Sequence, residues 1–139
     1  MTLHCENISF TDLAGQFGTP LYVYSQSALT EAFCAYTSAF SALSPLVCYA
    51  VKANGNLSLL KHFAAPGSGF DIVSGGELAR VLAAGGDAGK TIFSGVGKSE
   101  AEIEFALNAG VLCFNVESLP ELDRINAVAA RLNQTAPIS

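Results

Sequence analysis

Four apolar, strand-like runs recur roughly every 22 residues, and each leads into a helical pattern. That rhythm predicts an α/β chain, the first half of a (β/α)8 TIM-type barrel cut near strand five. Three observations carry the prediction. The runs are centred near Val47, Phe70–Ile72, Ile92–Phe93 and Cys113–Phe114. Ser-x-x-Glu follows each of the last three, at Ser74 to Glu77, Ser99 to Glu102 and Ser118 to Glu121. This is the spacing at which a serine accepts from a free helix N–H while the glutamate reaches back to the cap. The strand runs are also apolar on both faces, as in parallel sheets covered by helices. Units of this kind in series require parallel strands with right-handed crossovers. An open flavodoxin-like sheet of the same size, with Leu21–Tyr24 as its fifth strand, is the competing architecture.

In chain order, residues 1–24 are expected to form a lead-in segment and a strand. Ile8, Phe10, Leu13 and Phe17 are the apolar points of the lead-in, with a short helix after Thr11-Asp12, and Pro20-Leu21-Tyr22-Val23-Tyr24 reads as the strand. Ser25 or Ser27 caps the next helix. Leu29, Phe33, Tyr36, Phe40 and Leu43 recur at helical spacing, which predicts a buried face, and Pro45 ends the pattern. Leu46-Val47-Cys48-Tyr49-Ala50-Val51 is the most apolar run and reads as the first buried strand. A helix follows near Leu57 to Phe63, with Pro66 expected to shorten it or to tighten the loop into the second strand. The later helices carry Leu78-Val81-Leu82, Ile103-Ala106-Leu107 and Leu122-Ile125-Val128-Leu132 at helical spacing, and two of them stop at glycine, Gly85-Gly86 and Gly110. Ala136-Pro137-Ile138-Ser139 reads as the entry to a fifth strand.

Composition narrows the function. Half of the 139 residues are apolar and 14% are charged, which fits a buried α/β interior and excludes a disordered chain. A net charge of −5 without a Lys/Arg cluster argues against nucleic acid or an anionic membrane as partner. No apolar run approaches the length of a membrane span, and the N-terminus lacks the basic and apolar regions of a signal peptide, so the cytoplasm is the expected location. Cys5, Cys34, Cys48 and Cys113 form no Cys-x-x-Cys pair, and with His4 and His62 as the histidines no metal-ligand cluster assembles on familiar spacing. Cys48 and Cys113 read as reduced core residues.

The chemistry centres on Tyr49-Ala50-Val51-Lys52-Ala53-Asn54. Lys52 ends the most apolar run and precedes the turn signal Asn54-Gly55-Asn56, so it stands at the carboxyl end of a strand, the level at which such folds build sites. A partly desolvated lysine amine can attack a carbonyl and form a Schiff base. On position alone, a lysine reaching from a strand end into solvent is the plainer reading. At the same level lie Asp71 with Ser74-Gly75-Gly76-Glu77, Ser94-Gly95, and Asn115-Val116-Glu117. An aspartate inside an apolar strand needs a partner when buried, whereas Glu77 is also fully accounted for as a capping-box glutamate. Gly95-Val96-Gly97-Lys98-Ser99 is only a partial P-loop, because Ile92 stands where the first glycine belongs. No nucleotide site is expected there, and Lys98 reads as a solvated loop lysine.

Tyr49-Ala50-Val51-Lys52-Ala53-Asn54 resembles the pyridoxal-phosphate lysine motif of the alanine-racemase-like, fold type III decarboxylases. Gly18-Thr19-Pro20-Leu21-Tyr22-Val23-Tyr24, Gly69-Phe70-Asp71-Ile72-Val73-Ser74-Gly75-Gly76-Glu77-Leu78, Phe93-Ser94-Gly95-Val96-Gly97-Lys98-Ser99 and Phe114-Asn115-Val116-Glu117-Ser118 are similar to further blocks of that family, in the same order. The resemblance implies that residues 25–139 are part of a pyridoxal-phosphate-binding barrel. It implies Lys52 as the catalytic, cofactor-bearing lysine, Ala50 and Asp71 as cofactor neighbours, and Asp71 and Glu77 as catalytic acidic groups, with no metal. The blocks stand nearer to the members acting on meso-2,6-diaminopimelate than to those acting on ornithine or arginine. They imply decarboxylation to L-lysine and CO2 in a homodimer, with an ornithine- or arginine-type enzyme or a non-catalytic truncated barrel as alternatives. In the family the phosphate, the pyridine nitrogen and part of the substrate are held by later barrel units, a C-terminal β-domain and the partner subunit. None of these is found within the 139 residues, so the chain alone is expected to be inactive.

Overall fold

The structure, a computed structural model, describes residues 3–139, which form two compact units divided between Pro45 and Leu46. In the first unit, β1 (His4–Cys5) and β2 (Ile8–Ser9) make an antiparallel hairpin with His4 opposite Ser9. Ser9 then caps α1 (Phe10–Phe17), its hydroxyl oxygen accepting from the Asp12 N–H at 3.0 Å, so the helix starts ahead of Thr11-Asp12. Residues 21–25, expected to begin as a strand, have no regular structure, and Tyr22 is 89% exposed. Strand propensity there finds no ladder to complete, and a strand exists only through its neighbour's hydrogen bonds.

The cap of α2 (Gln26–Ala39) is Ser25, which accepts from the Ala28 N–H at 3.1 Å. Ser27 instead donates both its N–H and its hydroxyl to Glu6 Oε1. The predicted apolar face does not reach Leu43 as α-helix: after Ala39 the chain tightens into a 3-10 turn, Ser41–Leu43. Nor is the face buried. Leu29 and Phe33 are half-buried, whereas Tyr36, Phe40 and Leu43 are exposed.

The second unit is built from the predicted repeat. Its parallel sheet runs β3 (Cys48–Ala50), β4 (Gly69–Ile72), β5 (Thr91–Phe93), β6 (Cys113–Phe114), in that spatial order. Between and after them come α3 (Leu57–Ala64), α4 (Gly75–Ala83), α5 (Glu100–Ala109) and α6 (Leu119–Arg131). Beside β6, Ile138 forms a parallel bridge with Phe114, where a fifth strand would enter. Strand order that follows chain order without reversal decides the architecture. A flavodoxin-like sheet reverses at a switch point, whereas a barrel winds in one direction. The chain is a partial (β/α)8 barrel.

Alternation along the strands splits the sheet into two faces. Phe70, Ile72, Thr91, Phe93 and Phe114 are fully buried, with Leu60, Leu78, Val81, Ile103, Ala106 and Ile125 from the helices. Burying each large apolar side chain contributes roughly 1.5–3 kcal/mol, so this layer supplies most of the cohesion. The opposite face carries Cys48, Ala50, Asp71, Ile92 and Cys113, all half-buried and mostly small or polar. Cys48 pairs in register with Gly69, and only glycine fits there, since a Cβ would lie 2.5 Å from both Cys48 Sγ and Lys90 O.

The serines expected to cap α4, α5 and α6 do so, as Ser74, Ser99 and Ser118, but the glutamates reach further than a simple box. Ser99 and Glu102 form the complete box, and Glu102 Oε1 also accepts from Gly75 N at 2.8 Å, at the start of α4. Glu77 and Glu121 bypass the cap and accept from the N–H one residue earlier, Val73 and Glu117, each at 2.7 Å. Arg80 on α4 donates to Gly55 O, and Arg124 on α6 to Lys98 O. Neighbouring units are thus tied by polar contacts running back along the chain. Pro66 has the modest effect expected of it: α3 ends at Ala64 and the turn closes with Ser68 N donating to Phe63 O.

Candidate functional site

The carboxyl ends of the four strands lie side by side. After Ala50 the chain makes a single 3-10 turn, Val51–Ala53, in which Val51 is buried and Lys52 exposed. Tyr49 stabilises this turn: its ring stacks on Phe63, with centroids 4.5 Å apart, and its hydroxyl donates to Asn54 O at 3.1 Å. Among the described residues, the Lys52 amine has no hydrogen-bond or ion-pair partner.

Ala50 is in register with Asp71 on β4. Ser94, just past β5, donates its hydroxyl to Asp71 Oδ1 at 2.5 Å, and Asn115, just past β6, donates its side-chain amide to Ser94 Oγ at 3.0 Å. Every donor in this Asn115–Ser94–Asp71 chain points one way and ends on the carboxylate. Gly95 makes the turn beyond Ser94 possible. Its φ is +89°, and a Cβ there would lie 3.2 Å from Val73 Cβ.

Asp71 therefore has the partner that its strand position demands, and that partner is a hydroxyl. Ser94 and Asn115 stand at the strand-end level their sequence positions predict, and the hydrogen bonds that link them to this carboxylate are visible only in the fold. The alternation of β5 and β6 onto the face of Asp71 was the available signal. Glu77, half-buried in the first turn of α4, spends Oε2 on Val73 N–H, and no hydrogen bond joins it to Lys52 or Asp71.

The same face carries two thiols. Burial pushes the Cys48 thiol above its usual range, with the Asp71 carboxylate and Cys113 adding to the effect, and burial raises Cys113 as well. Burial disfavours the thiolate that a nucleophile needs, and none of Cys5, Cys34, Cys48 and Cys113 is joined in a disulfide.

Lys98 overturns its expectation. It is 1% exposed, not solvated, and its ammonium donates to Gly95 O at 2.6 Å, Asn115 O at 2.8 Å and Glu121 Oε1 at 2.8 Å. Four methylenes carry the charge inward, past the Phe93 ring whose centroid is 5.7 Å from Nζ. Loop composition cannot reveal such a site, because the acceptors come from two strand ends and a helix.

Residues 26–138 match the pyridoxal-dependent decarboxylase family, in its pyridoxal binding domain. The whole chain is 79% identical to a Neisseria meningitidis serogroup B protein named diaminopimelate decarboxylase and covers 34% of it. The fold superposes on a crystal structure from Aquifex aeolicus with a TM-score of 0.95 and 46% identity, over 99% of this chain and 34% of that one. It also matches diaminopimelate decarboxylase from Helicobacter pylori complexed with L-lysine, with a TM-score of 0.88 and 44% identity, over 93% of this chain and 33% of that one. The chain thus spans about a third of the length of the relatives it matches.

Proposed function

The chain belongs to the pyridoxal-dependent decarboxylases by their pyridoxal-binding domain, and from that premise we propose that it acts, as or within a larger protein, in decarboxylating meso-2,6-diaminopimelate to L-lysine and CO2. One observation carries the reading. A lysine amine without a partner among the described residues stands at the carboxyl end of β3, the strand paired with the one that holds Asp71. The 79% identity to a protein named for this activity supports the substrate.

The donor set fits pyridoxal phosphate. Lys52 offers the amine that its aldehyde carbon requires, and Ala50, Asp71, Ser94 and Asn115 form a small, polar face next to it. When bound, pyridoxal phosphate supplies an electron sink for the pair left on carbon as a carboxylate departs as CO2. Lys52 is its covalent anchor, and the same Nζ can carry the proton that replaces the lost carboxylate. Asp71, with Oδ1 fixed by Ser94, sets a carboxyl group in a defined orientation on the strand paired with β3. Glu77 shapes the turn after Asp71 through Val73 N–H, and Ala50 keeps the wall beside Asp71 low. We assign the protein to the cytoplasm and to a homodimer, as the resemblance of its motif blocks to the family implies.

The test uses the complete product of the gene, supplied with pyridoxal phosphate and meso-diaminopimelate. Release of L-lysine and CO2 is expected, with the imine absorbance and turnover both lost in Lys52→Ala. Imine absorbance that persists in Lys52→Ala would remove the assignment of Lys52, and turnover of ornithine or arginine alone would remove the substrate.

A further inference from the structure

Among the described residues, Lys98 and Glu121 are the charged side chains buried below a tenth of their surface, and the chemistry assigned above uses neither. We propose that Lys98, held in place by Glu121, is a positioning residue: one ammonium gathers the strand ends that carry the Asn115–Ser94–Asp71 chain and so fixes the carboxylate beside Lys52. The inference rests on the decarboxylase reading of that face.

The choice of acceptors carries it. An ammonium has three donors, and all three are used at 2.6–2.8 Å. Two of them go to main-chain carbonyls, of Gly95, the residue after Ser94, and of Asn115 itself. The third goes to Glu121, whose other oxygen accepts from Glu117 N–H at 2.7 Å in the loop that follows Asn115. Arg124 closes the set by donating to Lys98 O at 3.0 Å. Moving the ammonium therefore moves Ser94 and Asn115 together, and through Ser94 Oγ it moves the hydrogen bond to Asp71. Stability alone does not require this arrangement, because well-packed apolar residues can replace a buried ion pair without loss. What apolar side chains cannot do is hold two carbonyls at fixed points.

That difference supplies the experiment, made in the complete gene product. Lys98→Met with Glu121→Met removes both charges and keeps the volume. The expected result is a melting temperature near that of the parent, with turnover down about tenfold or more. Amide exchange at residues 94–97 and 115–117 in the cofactor-free protein should rise by a similar factor. Parental turnover and exchange in a folded double variant overturn the proposal. If that variant does not fold, Lys98→Arg keeps the charge with a different reach and is compared with and without Ser94→Ala. A position acting through Ser94 loses about fivefold or more in turnover alone but less than about twofold when Ser94→Ala is present. Equal factors in both backgrounds overturn it. If the parent does not decarboxylate meso-diaminopimelate, the functional reading falls, and exchange in the folded variants still decides the role of Lys98.

Discussion

The loops after β3 and after β5 each carry a lysine, and the protein treats the two in opposite ways. Lys52 leaves a one-turn 3-10 segment exposed and without a partner among the described residues, whereas Lys98 is buried with every proton of its ammonium donated. The difference lies in what surrounds each loop. After β3, Tyr49 and Phe63 hold the backbone turn and leave the side chain outside. After β5, the left-handed Gly95 curls the chain so that two carbonyls and the Glu121 carboxylate face one point. A free amine can form a new covalent bond. A saturated one can only hold geometry.

Lys52→Ala gives the widest break in this comparison. Turnover in the complete protein should fall on the order of 10³-fold or more, since the proposed covalent anchor is gone. The unfolding free energy from denaturant titration should stay within about 0.5 kcal/mol of the parent, as for an exposed side chain without partners. Equal losses of stability and turnover would count against Lys52 as a chemical rather than a structural residue.

The reverse pattern is expected at the other loop. Lys98→Met leaves Glu121 buried without its cation, and the loss should be about 3–5 kcal/mol by chemical unfolding. Acid sharpens the same point. Burial raises the Glu121 carboxyl, but the hydrogen bonds from Lys98 and Glu117 N–H and the charges of Lys98 and Arg124 outweigh it, so its pKa lies below the ordinary 4.5. A depressed carboxyl contributes stability in full above the unfolded value and loses it as pH falls through the folded one. Unfolding midpoints measured from pH 7 downward should therefore drop below about pH 4.5, and Glu121→Gln should flatten that slope.

Smaller effects calibrate the scale. Ser99→Ala removes the hydroxyl of the complete capping box and should cost about 1 kcal/mol of stability, with turnover little changed. Arg131→Ala breaks an ion pair at 2.9 Å whose side chains are 55% and 42% exposed, and the unfolding free energy should fall by only roughly 0–1 kcal/mol. A loss there comparable to that of Lys98→Met would mean that burial does not separate the two pairs.

Much of this was legible along the chain. The strand rhythm, the three Ser-x-x-Glu caps, the glycine stop at Gly110 and the place of Lys52 at a strand end depend on residues within a few positions of one another, and local hydrogen bonding decides such features. The strand expected at Leu21–Tyr24 and the buried face expected on α2 were not settled locally. A ladder and a covering layer both come from elsewhere in the fold, and periodicity registers only the readiness for them. The same reason hid the two networks at the strand ends. Ser94 meets Asp71 across 23 positions and Lys98 meets Glu121 across 23, distances in sequence that only the parallel register of β4, β5 and β6 closes. Residue order assigned the lysines to loops; the packing of two strand ends and a helix around one of them made it a buried hub and left the other exposed.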